Sequence, residues 1–456
     1  MIRMTFGAVR ALLCDSAGRI GCALGLLLAC TLAPSPSAAQ TPAPGGIAPP
    51  SRAERPYRGL FGGGVGDTAQ TLTFEGAFGV GTGGTHPSIA SGAENLALQG
   101  TGNLTTSGSL DYSLSRGGVT INVSNKVLAD YYQHPSGNKI LPRDIASAGV
   151  SFSLGRTGVG VGATYKNVPE LSASDFFDGE PAEVIPLNQN VPLTFERYSR
   201  YGTTLDISQP LTRRLRTGAG VSYARGMIQS RAWTISTYYG SVGYSIGKGL
   251  GAYVEYKDGG QRDETPGAPR TLDRHPRTGF GIDYSKPLSF SRRTTLSFTT
   301  GTAGMHDRSL DEMRYQLVGS VTLNREIGRT WLASVSYARD LRYIESLGEP
   351  LLSNYMNLGL RGSISHRVQF GAWFGGSSGT LGSSKESLSQ TDTYFGSAQA
   401  SVALTRLLGL TIDYGYYDYA LPSHELLGDA TGASGKYQVV RAYLQLWLPL
   451  ITQRKR

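Results

Sequence analysis

Leu72-Thr73-Phe74-Glu75-Gly76-Ala77-Phe78 alternates without a break. Leu72, Phe74 and Phe78 fall on one face of an extended chain, and Thr73, Glu75 and Ala77 on the other. A period of two with one apolar face is the pattern of a β-strand. It recurs at 108–115, 119–127, 147–155, 158–166, 200–208, 215–225, 238–246, 250–258, 277–285, 294–302, 314–324, 330–339, 354–364, 368–376, 393–404, 408–417 and 438–448. These segments predict about 18 strands, within roughly 16–18.

Composition points the same way. Of 456 residues, 61 are glycine and 25 tyrosine, and only 17% are charged, below the typical ~25%. Mean hydropathy is −0.19. A coiled coil, an acidic disordered chain and a polytopic helix bundle are excluded. An all-β chain remains, and a transmembrane antiparallel up-and-down β-barrel fits best.

The connections alternate between short and long. The short ones centre on Arg116, Arg156, Arg213, Lys248, Arg292, Arg329, Arg367 and Arg406. A strand–turn–strand–loop unit therefore repeats about every 40 residues. The turn texts resemble one another: SLSRGG, SLGRTG, PLTRRL, SIGKGL, EIGRT, SISHRV and ALTRLL. A propeller blade would carry four strands per repeat, whereas each unit here has two longer ones. Bacterial barrels keep short turns in the periplasm and longer loops outside. Closure is required because hydrocarbon tolerates no open strand edge.

The barrel is expected over 68–450, preceded by a flexible periplasmic segment at 40–67 and followed by a basic tail at 451–456. Residues 1–39 read as a secretory signal peptide. Arg3, Arg10 and Arg19 precede an apolar run from Ile20 to Ala33, and Ser37-Ala38-Ala39 gives a cleavage pattern. Leu27-Leu28-Ala29-Cys30 offers lipidation of Cys30 as an alternative. All three cysteines lie in this leader, so disulfides and thiol-based metal sites are excluded from the rest.

The small or polar face supplies the candidate lumen lining. Glu75, Asp111, Asp206, Glu255, Asp283 and Asp413 lie on it, with Arg361 and Arg441 as bases. Charges at mid-membrane height must face water or a partner. Acids outnumber the bases placed there, so a weak cation preference is expected. Tyr253, Trp373 and Phe395 share that face and either fill space or stack on a glycan. On the opposite face Tyr165, Tyr223, Tyr256, Tyr337 and Tyr416 follow their basic turns at one height, as an aromatic girdle does. Arg225 and Arg339 lie two residues beyond Tyr223 and Tyr337, level with lipid phosphates, where they either pair with phosphate or snorkel. The connection 167–197 carries Asp175, Asp178, Glu180 and Glu183. It is either a constriction loop folded into the lumen or a solvated external loop.

Catalytic signatures are absent: no G-x-S-x-G, no H-E-x-x-H and no P-loop occurs. No catalytic residue, metal site or cofactor is expected. The net charge of +9 forms no cluster that would hold nucleic acid.

Three further stretches carry a resemblance: Arg55-Pro56-Tyr57-Arg58-Gly59-Leu60-Phe61-Gly62-Gly63-Gly64, the basic turns followed by V-x-Y-x-R/K, and the ending Leu446-Trp447-Leu448-Pro449-Leu450. Together they resemble uncharacterised bacterial outer-membrane β-barrel proteins of the porin type, many of them found in exopolysaccharide or exosortase gene clusters. The resemblance implies a Gram-negative outer-membrane channel passing small solutes or assisting a secreted polysaccharide. It also implies outer-membrane lipid, lipopolysaccharide and the barrel-assembly machinery as partners. The competing reading is a non-conducting structural or adhesive barrel. Outer-membrane barrels usually end on an aromatic residue, whereas here Trp447 is followed by nine more residues, ending Gln453-Arg454-Lys455-Arg456.

Overall fold

The computed structural model describes residues 68–87, 103–132, 139–169, 197–228, 231–247, 249–264, 272–288, 291–307, 312–328, 330–344, 349–381, 389–420 and 434–454. The expected signal peptide 1–39 with Cys30, the segment 40–67, and the loop acids Asp175, Asp178, Glu180 and Glu183 lie outside these residues.

The described residues form 18 strands joined in one sheet. In chain order they are β1 (Thr68–Pro87), β2 (Asn103–Arg116), β3 (Val119–Tyr132), β4 (Lys139–Leu154), β5 (Thr157–Pro169), β6 (Arg197–Pro210), β7 (Leu215–Ile228), β8 (Arg231–Gly247) and β9 (Leu250–Asp263). Then come β10 (Leu272–Leu288), β11 (Ser291–Asp307), β12 (Glu312–Ile327), β13 (Trp331–Ile344), β14 (Glu349–Ser365), β15 (Val368–Leu381), β16 (Ser389–Ala403), β17 (Leu408–Ala420) and β18 (Ser434–Arg454). Each alternating segment read from the sequence lies in or overlaps one of these strands. Every strand pairs antiparallel with its sequence neighbours, and β1 also pairs with β18. That last ladder closes the sheet into a barrel. It runs from Thr68 opposite Arg454 to Pro87 opposite Gly435, so β18 continues through Ile451 to Arg454 rather than stopping at 450.

The turns explain the repeated texts. After Arg116, Gly117 and Gly118 have φ of 60° and 81°. Two consecutive left-handed residues make the mirror-image turn whose twist matches a two-residue hairpin, and only glycine adopts it without strain. A different device serves Leu211-Thr212-Arg213-Arg214-Leu215 and Leu404-Thr405-Arg406-Leu407-Leu408. Thr212 Oγ1 accepts from the backbone N–H of Arg214 and Leu215, at 3.2 and 3.0 Å. Thr405 Oγ1 does the same for Leu407 and Leu408, at 3.1 and 3.0 Å. Arg116 closes β2, and Arg292 lies within β11, rather than in the turns themselves.

Register assigns the faces. Phe78, Val80, Leu110, Leu205, Val242, Val254, Leu358, Phe374, Ile412 and Leu444 all share the outer face and are exposed. Partners on the opposite face are small, polar, charged or buried. A soluble protein hides its apolar face, so this arrangement is turned outward, as a hydrocarbon surround demands. Tyr165, Tyr223, Tyr256, Tyr337 and Tyr416 lie on the outer face by register. Tyr165 meets Tyr201 with ring centroids 4.9 Å apart, a contact worth about 0.5–1.5 kcal/mol.

Candidate functional site

The candidate site is the inner face of the barrel. Its residues fall into two walls of different character.

One wall runs from β14 through β18 and on to β1–β4. Asp413 on β17 stands opposite Arg441 on β18. They are 0% and 1% exposed. Tyr417, Tyr437 and Tyr443 are buried around them, and Arg441 Nη1 donates to Tyr443 Oη at 3.4 Å. β1 makes room for these side chains: Gly79 is opposite Tyr443, Gly81 opposite Arg441 and Gly83 opposite Val439. A Cβ at Gly79 would lie 2.3 Å from the Tyr443 ring. Further along, Arg143 on β4 pairs with Asp130 on β3, both buried, and Thr105 Oγ1 donates to Asp130 at 2.7 Å. Arg143 and Arg441 both lie within electrostatic reach of Tyr417 and Tyr437, so charged groups from four strands, β3, β4, β17 and β18, act on one place. Towards the short-turn end of the barrel, Glu75 and Asp111 flank Lys126.

The other wall, β5–β9, is lined by small residues. Gly158, Gly160 and Gly162 face inward, next to Ser151 and Ser153 at the edge of β4. Thr164, Thr204, Ser208, Lys166 and Lys257 are exposed on it. Asp206, Gly220 and Tyr239 lie opposite one another on β6, β7 and β8. The Tyr239 ring crosses Gly220, where a Cβ would be 2.4 Å away, and its hydroxyl donates to Asp206. An apolar inner cluster of Tyr198, Ile228 and Trp233, with Val168 and Ile235, closes the upper end of this wall. Tyr198 and Trp233 stack with centroids 5.8 Å apart.

Among the residues singled out in the sequence, Glu75, Asp111, Asp206, Tyr253, Glu255, Asp283, Arg361, Trp373, Phe395, Asp413 and Arg441 carry inward register. The structure does not bring them into one cluster. Asp283 and Asp413 are buried, whereas Arg361 is exposed. The three inward aromatics lie over glycines. Tyr253 reaches Gly281 and Gly301, Trp373 covers Gly359 and Gly371, and Phe395 covers Gly375. Phe395 is only 3% exposed and offers no face to a glycan. Arg225 and Arg339 face outward. Arg225 Nη2 is 3.6 Å from Glu264 Oε2, and Arg339 Nη1 donates to Asn354 Oδ1 at 3.4 Å.

Sequence reasoning missed the inner bases Lys126, Arg143, Lys166, Arg200, Arg216 and Lys257. Each shares parity with an inward neighbour. Parity extended along the strand would have found Arg200 from Asp206 and Lys257 from Glu255. Among the described residues, no group of three or more His, Cys, Asp or Glu could hold a metal ion.

The sequence matches no protein-family model and no curated protein sequence. Solved structures with some likeness include three outer-membrane proteins. OpdQ of Pseudomonas aeruginosa is 9% identical with a TM-score of 0.42, covering 84% of this chain and 98% of that one. OccAB4 of Acinetobacter baumannii is 10% identical with a TM-score of 0.43, covering 84% and 99%. The FrpB iron transporter of Neisseria meningitidis is 8% identical with a TM-score of 0.44, covering 84% and 82%. The fold assignment rests on the closed strand pairing of the chain itself, not on these likenesses.

Proposed function

We propose that the chain is an outer-membrane channel of the porin type, delivered by its N-terminal signal peptide and passing small polar solutes. Passage of a secreted polysaccharide is the finer reading, and it rests on the family resemblance. One observation carries the channel: a closed 18-stranded barrel with an exposed apolar outer face and an inner face lined by charges. Barrels of 16–18 strands enclose an aqueous lumen unless something fills it. The open wall of β5–β9 would line the path. Lipid and lipopolysaccharide would surround the outer face, with Arg225 and Arg339 near headgroup height, and the assembly machinery would insert the chain.

A second reading has its own support. The buried wall around Arg441, Asp413 and Tyr417 suits a non-conducting structural or adhesive barrel.

Single-channel recording in planar bilayers separates the two. Steady conductance steps are expected, and their absence over a range of voltages would leave the structural reading. Replacing 172–190 by a short Gly-Ser link then tests the constriction loop. Higher conductance follows if the loop narrows the lumen, and unchanged conductance follows if it stands outside. The closure entropy of the loop changes little, so the barrel should still fold.

A further inference from the structure

Towards the short-turn end of β1–β4, the packed inner face gives way to a cavity of about 210 Å³. Two rows of inward side chains line it. Thr73, Asp111, Ser124 and Ser147 stand opposite one another across β1, β2, β3 and β4. Thr71, Ser113 and Asn122 form the next row, which ends on β4 at Gly149 and so gains no fourth side chain. Asn122 and Ser147 are exposed and the other five are half-buried, so a solute in the lumen can reach the lining.

Five of these seven side chains are hydroxyls, one is an amide and one a carboxylate. Among the described residues, the one side-chain hydrogen bond to them runs from Ser109 Oγ to Asp111 Oδ2, at 3.3 Å. Their other donors and acceptors are left to water or a ligand. Neighbouring strands lie about 4.8 Å apart, and inward residues about 6.7 Å apart along a strand. The lining therefore sets polar groups around the edge of a space about one sugar ring across.

The charges nearby narrow the choice of ligand. In the adjoining row Glu75 stands opposite Ser109, and Ser109 opposite Lys126. Lys126 lies within electrostatic reach of both Glu75 and Asp111. Two acids against one base disfavour an anion, and an anion has only acceptors to offer Asp111. An ammonium has only donors, so it leaves the Asn122 amide N–H and the Lys126 ammonium without an acceptor. A hydroxyl brings a donor and an acceptor to every contact. Trp447 on β18 lies opposite Glu75 in that same adjoining row, half-buried and with inward parity. It adds an aromatic face next to polar edges, the usual composition of a small-molecule site.

We propose that this cavity is a binding subsite for one neutral sugar ring, with Asp111 accepting from ring hydroxyls and Asn122, Ser124 and Ser147 holding the others. Drug-sized ligands occupy about 300–1,000 Å³, and the smaller space here suits a single ring. The proposal rests on the channel reading, which makes the inner face a solute path, and it adds the class of solute.

The test is saturation-transfer NMR on the full chain, refolded in amine-oxide detergent micelles that carry no sugar. D-glucose is compared with glucuronate and glucosamine, which keep the ring and change its charge. Glucose should give the strongest signal. Asp111→Ala should weaken its binding roughly tenfold, as the loss of hydrogen bonds to a charged group does. Ser147→Leu puts bulk at an exposed rim position and should abolish binding, whereas Ser208→Leu, on the exposed inner face of β6, should leave it unchanged. Heat-modifiable mobility shows that each variant is folded, and Ser147→Leu carries the test if Asp111→Ala does not fold. A stronger signal from glucuronate or glucosamine would overturn the neutral class. A glucose signal that survives both cavity variants would place binding elsewhere and overturn the site. No signal from a protein that conducts in bilayers would remove the subsite and leave the channel standing. A signal that the variants abolish, in a protein that does not conduct, would keep the subsite and remove the channel. Neither signal nor conductance would remove both.

Discussion

The two inner walls of this barrel share a polarity and differ in what they do with it. On β17–β18 and β3–β4 the charged groups Asp413, Arg441, Asp130 and Arg143 are buried, the first two among tyrosines. On β5–β9 glycine, serine and threonine leave the charges open to the lumen, as Lys166 and Lys257 are. Side-chain volume accounts for the contrast. Arginine and tyrosine from neighbouring strands lie flat over the glycines of β1 and shield one another. Short side chains on β5–β7 cannot reach across. Charge on one wall is therefore buried, and on the other it is open to the lumen.

The largest expected effect separates the walls directly. Arg441→Ala leaves Asp413 buried without its neighbouring cation, and breaking a buried pair costs about 3–5 kcal/mol. Lys166→Ala, on an exposed inward residue of β5, should change stability by no more than about 0.5 kcal/mol. Urea unfolding of the detergent-refolded barrel, followed by heat-modifiable mobility, measures both. Equal effects would erase the distinction between the walls.

The next test sits inside the open wall. Gly220→Ala pushes a methyl into the Tyr239 ring and should cost about 1–3 kcal/mol. Gly240→Ala on the outer face of β8 meets nothing within 4 Å and should be neutral by the same assay. A neutral Gly220→Ala would mean that Tyr239 is free to leave Asp206, and that this wall lacks even that fixed contact.

Much of this architecture was legible in the sequence. Alternation located every strand, because a one-residue slip in register would exchange the two faces. The repeated turn texts marked the hairpins, because Gly117-Gly118 and Thr405 act through local backbone chemistry that needs no tertiary context. The division of the lumen was not legible. Alternation gives a face and not a depth, so Asp413 and Glu255 look alike in sequence although only Asp413 is buried. Nor does one strand's pattern reveal that Arg143 on β4 and Arg441 on β18 approach the same tyrosines. The buried contact of Ala303, Val318 and Leu341, with Leu352 packed against it, was invisible for a related reason. It sets an inward face against an outward one, which period-two reasoning forbids.

A smaller effect compares one turn with another. Thr405→Val removes the acceptor for two backbone N–H groups, each worth about 0.5–1.5 kcal/mol when buried and less at an exposed turn. Water replaces the lost oxygen at this surface, so a loss of about 0.5 kcal/mol is expected. The double variant with Thr212→Val should be additive, because the two turns share no partner. A much larger loss would show that the β16–β17 turn nucleates the packed wall.

The last effect leaves stability untouched and reads only the solution path. Counting acids and bases along the sequence favours cations, but the structure sorts them by exposure. Asp283 and Asp413 are buried, and Asp206 is held by Tyr239. Lys166, Arg216, Lys257 and Arg361 are exposed on the inner face, with Glu326 as an exposed acid near the C-terminal end of β12. Ions in a pore respond to the charges they can approach, and salt screens the rest over about 10 Å at 0.1 M. A weak anion preference is therefore expected from reversal potentials across a salt gradient. Lys166→Glu with Lys257→Glu should move the reversal potential towards cations, and Asp413→Asn, if it folds, should leave it unchanged. A parent channel that prefers cations, and loses that preference on Glu75→Gln with Asp111→Asn, would put the conducting path along the packed wall instead.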